Sequence, residues 1–238
     1  MISLFPCLND NYGLLLHDPD SGLTASIDAP DADAISKECE ARGWALTHIF
    51  NTHHHYDHVG GNIALKEKYG LMIVGPKADE QRIPGIDIAL EGGDVFTFGA
   101  YQIKLLHTPG HTKGHCAYYV PAENSVFVGD TLFALGCGRL FEGTAKQMFD
   151  SIAKLAELPD DTKVYCAHEY TLSNGAFALY ANPDDEAIKS YMEEAKALRA
   201  KGEPTIPTTI GKEKSANPFM RAATPEIFGA LRAAKDKF

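Results

Sequence analysis

The run Thr52-His53-His54-His55-Tyr56-Asp57-His58 constrains this chain more than any other, because His53, His55, Asp57 and His58 bring four potential metal ligands into six residues. The preceding segment, Leu46 to Asn51, reads as a buried strand, and Gly60-Gly61 followed by Asn62 to Lys68 reads as the start of a helix. The ligands are therefore expected on a loop at the carboxyl end of a strand, where α/β folds place their sites. With a local period near two, His53 and His55 point one way and His54 the other, and Asp57 and His58 follow one short turn later. That arrangement suits two adjacent metal ions better than one. A solvated histidine tag does not explain it, since tags lie at termini and lack the interleaved aspartate and the strand and helix flanks.

More ligands are expected at three further strand ends. His107 to His115 follows the strand-like Tyr101 to Leu106, and Pro109-Gly110 forces a turn that can aim His111 back at the loop. Ser125 to Val128 is an apolar strand that runs into Gly129-Asp130, and the strand from Thr162 to Ala167 runs into His168-Glu169-Tyr170. Each alone is a weak signal, because one histidine or aspartate at a strand end is commonly a cap. Their shared placement after strands strengthens the reading. Neutral imidazole suits zinc, iron and other first-row ions, while carboxylates add charge compensation and accept harder ions, so zinc is expected with iron or manganese as alternatives.

The pattern resembles the metallo-β-lactamase superfamily, whose members carry T-H-x-H-x-D-H and then a histidine, an aspartate and a last histidine. The resemblance implies a four-layer αββα sandwich, an α+β fold. It also implies two divalent ions, one on His53, His55 and His111 and one on Asp57, His58 and His168, with Asp130 bridging both. Four further segments are similar to the hydroxyacylglutathione hydrolase (glyoxalase II) family: Gly136 to Thr144, Ala167 to Thr171, Asn217 to Arg221, and the tail from Leu231 to Phe238. The similarity runs almost end to end. Arg139 and Phe141 stand where many eukaryotic members have lysine and tyrosine, a version that looks bacterial and lacks one phenolic hydroxyl.

What this family resemblance implies is a thioesterase that converts S-D-lactoylglutathione to glutathione and D-lactate, the second step of methylglyoxal detoxification. A hydroxide held between the two metals attacks, Asp57 ligates and orients the nucleophile's proton, and Asp130 joins the ions. A leaving thiol with a pKa of about 8.5 needs no strong general acid. Tyr170 and Arg139 are expected to hold the tripeptide backbone, with Phe141 beside them. Arg232 and Lys235, three residues apart on one helix face, are expected on the glycine carboxylate. Rival readings are another enzyme of this superfamily (a persulfide dioxygenase, a lactonase or a β-lactamase) or a non-catalytic metal-binding module. A dioxygenase works with one iron on two histidines and a carboxylate, so seven ligands count against it.

The rest of the chain limits the partners. A formal net charge of -10 over 238 residues disfavours nucleic acid. An anionic substrate then needs a local basic cluster, for which Arg139, Arg232, Lys235 and Lys237 are the candidates. No segment reads as a membrane span, and the amino terminus lacks the basic start of a signal peptide, so a cytoplasmic monomer is expected. Five cysteines with no C-x-x-C spacing argue against a disulfide framework or a thiolate zinc site. Cys39, Cys116 and Cys166 read as core residues, and Cys137, between glycines, as the exposed one.

Strand signals recur from Ile2 to Cys166, with helical patterns at Ala32 to Arg42, Asn62 to Tyr69 and Ala145 to Leu155. From Glu169 to Phe238 the periodicity is helical only, at Asp184 to Lys201 and Pro225 to Lys235, with a loop from Gly202 to Lys214 between them. Residues 1–168 are accordingly expected to form a catalytic domain and 169–238 a helical substrate-binding domain. His17 and His48 read as structural, and His54, His107 and His115 as hydrogen-bonders beside the ligands.

Overall fold

The computed structural model describes all 238 residues. They divide into two compact units, the first Met1–His107 with Gly114–Phe127, the second Thr108–Lys113 with Val128–Phe238.

In the first unit, β1 (Ile2–Cys7), β2 (Asn11–His17), β3 (Thr24–Ile27), β4 (Leu46–Phe50), β5 (Met72–Pro76) and β6 (Ile88–Leu90) lie side by side in chain order. The first three pair antiparallel, and β3 to β6 run parallel. Parallel neighbours need crossovers, and two of them carry helices: α1 (Ala32–Arg42) and α3 (Asn62–Tyr69), with the single turn α2 (Tyr56–Val59) just before the latter. Asp31 caps α1 by accepting from the N–H groups of Asp33 and Ala34, and Gly43 ends it in the left-handed conformation. Ile35, Cys39 and Leu65 of these helices are buried with Leu15, Ile49 and Ile73 of the sheet. The strands β7 (Val95–Phe98), β8 (Tyr101–His107) and β9 (Cys116–Val120) form an antiparallel meander. Phe50 of β4 meets Phe96, Phe98 and Tyr118 edge to face at 5.3–5.7 Å, so two sheets pack through aromatic rings. His48 belongs to that layer, and burial lowers its pKa. His17 stacks on Trp44 and bonds Thr24. Both histidines are structural, as expected.

The strand β10 (Ser125–Gly129) starts in the first unit and ends in the second, which also holds the hairpin β11 (Leu132–Phe133) and β12 (Gly136–Cys137), β13 (Lys163–Cys166) and β14 (Thr208–Thr209). The second sheet has the order β14-β13-β10-β9-β8-β7. The helices are α4 (Ala145–Ala156), α5 (Thr171–Ala181), α6 (Glu186–Ala200), α7 (Ile210–Ala216) and α8 (Pro225–Lys235). A capping box of Thr144 and Gln147 starts α4, and Thr224 with Pro225 starts α8. Phe219, just beyond the end of α7, packs against Phe177 of α5 and Phe228 of α8, with ring centroids 5.5–6.1 Å apart.

Three expectations are corrected here. The segment from Gly202 to Lys214 is not simply a loop: β14 pairs antiparallel with β13, and α7 follows at once, capped by Thr209. The chain after His168 is therefore not purely helical. Two-residue strands carry no periodicity, which is also why β11 and β12 escape sequence reading. Cys137 is buried in β12, paired with Leu132, and burial pushes its thiol up to about 11.

Candidate active site

In the first unit the ligand loop is organised by a residue the sequence reading passed over. Asp28 directly follows β3 with φ at 59°, in the left-handed region, and its buried carboxylate bonds the loop. It accepts from Thr52 N at 2.7 Å and Thr52 Oγ1 at 2.8 Å, and meets His58 Nδ1 at 2.8 Å. A carboxylate facing an imidazole nitrogen makes that nitrogen the donor, so His58 turns the lone pair of Nε2 outward. Thr52 relays the effect. Its hydroxyl proton goes to Asp28, so its oxygen accepts from His53 Nδ1 at 3.0 Å, and His53 also presents Nε2. Asn51 donates to the carbonyl of His58 at 2.9 Å and closes the loop. The His53 and His55 rings lie 4.6 Å apart, and Asn11 donates to Asp57 at 3.1 Å. His58 Nε2 and Asp57 Oδ2 are 3.5 Å apart.

His54 Nδ1 meets the buried carboxylate of Asp79 at 2.9 Å, and its ring stands edge-on to that of His55 at 4.9 Å. His115 is buried and stacks on His53 at 4.7 Å. Asp28 comes directly after a short strand, as Asp130 does, and that shared placement could have found it.

In the second unit, His111, Asp130 and His168 come together, each at most 7% exposed. His111 Nδ1 lies 2.9 Å from the carbonyl of Arg139, which can only accept, so Nδ1 is the donor and Nε2 carries the ring's lone pair. That Nε2 is 3.4 Å from Asp130 Oδ2, and His168 Nε2 is 3.5 Å from Asp130 Oδ1. These separations are long for hydrogen bonds. They match two donors about 2.0–2.2 Å from one tetrahedral ion, which geometry places about 3.4 Å apart. Each Asp130 oxygen thus faces a different histidine at ligand-to-ligand spacing. Gly138 permits the arrangement: a β-carbon there would fall 2.0 Å from the Asp130 carbonyl oxygen and 3.1 Å from His111 Nδ1.

The residues expected on the substrate also lie in this unit. Tyr170 stacks on His168 at 4.7 Å with the rings parallel, and exposed Phe141 stands edge-on to His111 at 5.2 Å. Arg139 is exposed, 4.0 Å from Asp236. Arg232 is buried. Its guanidinium donates to the Cys137 carbonyl at 2.8 Å and to Asp236 at 2.9 Å, lies over the Phe219 ring, and keeps a buried Nε–H that no protein atom accepts. Lys235 donates to Asn174 Oδ1. Burial first, then the charge of Arg232, lowers its pKa to about 8. Asn174 was not visible in the sequence as a site residue, since a helical asparagine carries no motif.

Two family models divide the chain between them: "Metallo-beta-lactamase superfamily" over residues 20–168 and "Hydroxyacylglutathione hydrolase C-terminus" over 169–238. The structure is similar to crystal structures of ETHE1 from Myxococcus xanthus (26% identity, TM-score 0.74, 98% of this chain and 90% of that one) and of TTHA1623 in a di-iron-bound form (25%, 0.65, 92% and 99%). The fold and the donor set make this a protein of the metallo-β-lactamase superfamily, with histidine and aspartate clusters suited to divalent metal. A hydroxyacylglutathione hydrolase from Maricaulis maris (strain MCS10) is 51% identical over 252 residues, covering 100% of this chain and 98% of that protein. The chain belongs to the hydroxyacylglutathione hydrolase family.

Proposed function

We propose that this protein hydrolyses S-(2-hydroxyacyl)glutathione, S-D-lactoylglutathione in particular, to glutathione and D-lactate. In this reading His53, His55 and His111 would hold one divalent ion and Asp57, His58 and His168 a second, with Asp130 the carboxylate shared by both sets and zinc the expected occupant. The observation that carries the reading is Asp130 offering its two oxygens to two different histidines. The di-iron form of the structural relative TTHA1623 supports a pair of ions. A bound divalent pair lowers the pKa of water towards 7 and polarises a thioester carbonyl.

The protein's own groups do the rest. Asp28 and the Arg139 carbonyl keep the ligand histidines in the tautomer that presents Nε2. Asp57, held by Asn11, is placed to orient the proton of the attacking water. Tyr170, Arg139 and Phe141 flank the glutathione backbone, and Lys235 with the Arg232 Nε–H receives its glycine carboxylate. A buried N–H without a protein acceptor is costly, and a substrate carboxylate satisfies it. We assign residues 1–168 to catalysis and 169–238 chiefly to substrate binding, in a cytoplasmic monomer.

Side-by-side assays with S-lactoylglutathione, nitrocefin and a homoserine lactone test the assignment. Turnover of the glutathione thioester alone is expected. Comparable or faster turnover of either other substrate would overturn it.

A further inference from the structure

The turn joining β11 to β12 is held by side chains from distant helices. Asn217 Nδ2 donates to the Phe133 carbonyl at 3.1 Å and the Gly136 carbonyl at 3.0 Å, and Asn174 Nδ2 donates to the Ala134 carbonyl at 3.0 Å. The Leu135 N–H donates to Glu213 at 2.9 Å. Four successive residues thus bond outward to α5 and to the α7 region. Leu135 itself sits at φ 57°, a left-handed conformation that a leucine keeps only when its surroundings hold it. Glu213 is fully buried. Its second oxygen accepts from Thr208 Oγ1 at 2.7 Å and Tyr191 OH at 2.8 Å, while Asn217 also donates to the first at 2.8 Å.

Both ends of this turn reach groups of the metal assignment. On one side Phe133 lies edge-on to His168 at 5.9 Å and to Tyr170 at 5.4 Å. On the other, Gly138 packs on the Asp130 backbone, and the next residue, Arg139, supplies the carbonyl that fixes His111. We propose that Glu213 and Asn217 are positioning residues that set the aim of His111 and His168 by fixing the turn from Phe133 to Gly136. The proposal rests on the metal assignment above. Two buried carbonyls and one N–H that lose their partners must move to find others. That displacement passes along the short link to Arg139 and rotates the His111 ring, and loss of such an orienting partner typically costs about 10–100-fold in metal affinity.

The test is retention of Zn2+ by the full-length protein against a chromophoric chelator. Asn217→Ala and Glu213→Leu should each hold zinc about tenfold more weakly. Glu213→Gln keeps an acceptor for Leu135 and should hold zinc as wild type does. Tyr191→Phe loosens the same cluster from its far side, so it should lower thermal stability without changing retention, an outcome that a merely structural role would not give. Asn217→Ser keeps one donor, guards against variants that fail to fold, and should fall in between. Wild-type retention in folded Asn217→Ser and in whichever of the other two folds would overturn the proposal, as would a loss in Tyr191→Phe equal to theirs. His111→Ala separates the two levels. If it retains full zinc, the metal assignment itself fails; if it loses zinc while the Asn217 variants do not, only the positioning role fails.

Discussion

The ligand loop from Thr52 to His58 and the tail helix α8 each present close-spaced polar side chains, yet they are organised in opposite ways. In the loop, one buried carboxylate, Asp28, reaches Thr52 and His58 directly and His53 through the threonine, so neighbouring residues share one fate. In α8, Arg232 and Lys235 are separated by a single helical turn and carry the same charge, but their fates diverge. Arg232 is buried and bonded to Cys137 and Asp236, whereas Lys235 is desolvated beside it and its pKa falls to about 8. A shared support makes spacing informative. Where each side chain meets its own partners, spacing says little.

The largest expected effect comes from Asp130, which faces both His111 and His168. Asp130→Ala should abolish turnover and lower bound metal, with the loss exceeding the hundredfold or so that marks a group merely supporting a ligand. Elemental analysis showing full occupancy in that variant would contradict the bridging role. Next, Asp28→Ala should weaken metal binding roughly 10–100-fold, measured by chelator competition, if the shared support is what aims His58 and His53. An unchanged affinity would remove the distinction between the two regions.

The α8 pair sharpens the comparison. Lys235→Ala should raise KM for the glutathione thioester about five- to tenfold with kcat little changed, because a contact remote from the reacting carbon acts alike in ground and transition states. Arg232→Ala should raise KM as well, and in addition lower stability by about 2 kcal/mol, a few degrees in Tm, through the hydrogen bond lost at the Cys137 carbonyl. The double variant should raise KM tenfold or more. The pH dependence follows from Lys235. Its charge, and with it the attraction for a carboxylate, is present below about 8 and lost as pH rises through that value, so KM should climb there. Stability should move the other way, since the unfolded chain binds more protons than the folded one between about 8 and the ordinary 10.5. Lys235→Ala should flatten both profiles. The smallest effect belongs to His107, which ends β8 opposite Cys116: His107→Ala should leave metal stoichiometry at the wild-type level.

The sequence by itself determined the ligands' residue types, their placement after strands, and most helices, with Ala32–Arg42, Asn62–Tyr69 and Pro225–Lys235 matching their expected spans. Those features are local: a strand end, a cap and a 3.6-residue period are written in adjacent residues. Only the tertiary structure decided which charges are buried, that Cys137 is enclosed, and which partners Asp28, Asn174, Glu213 and Asn217 bond. Each of these makes its decisive bond to a residue more than twenty positions away. Burial and hydrogen-bond partnership across such distances depend on how the chain returns on itself, and no periodicity records that return.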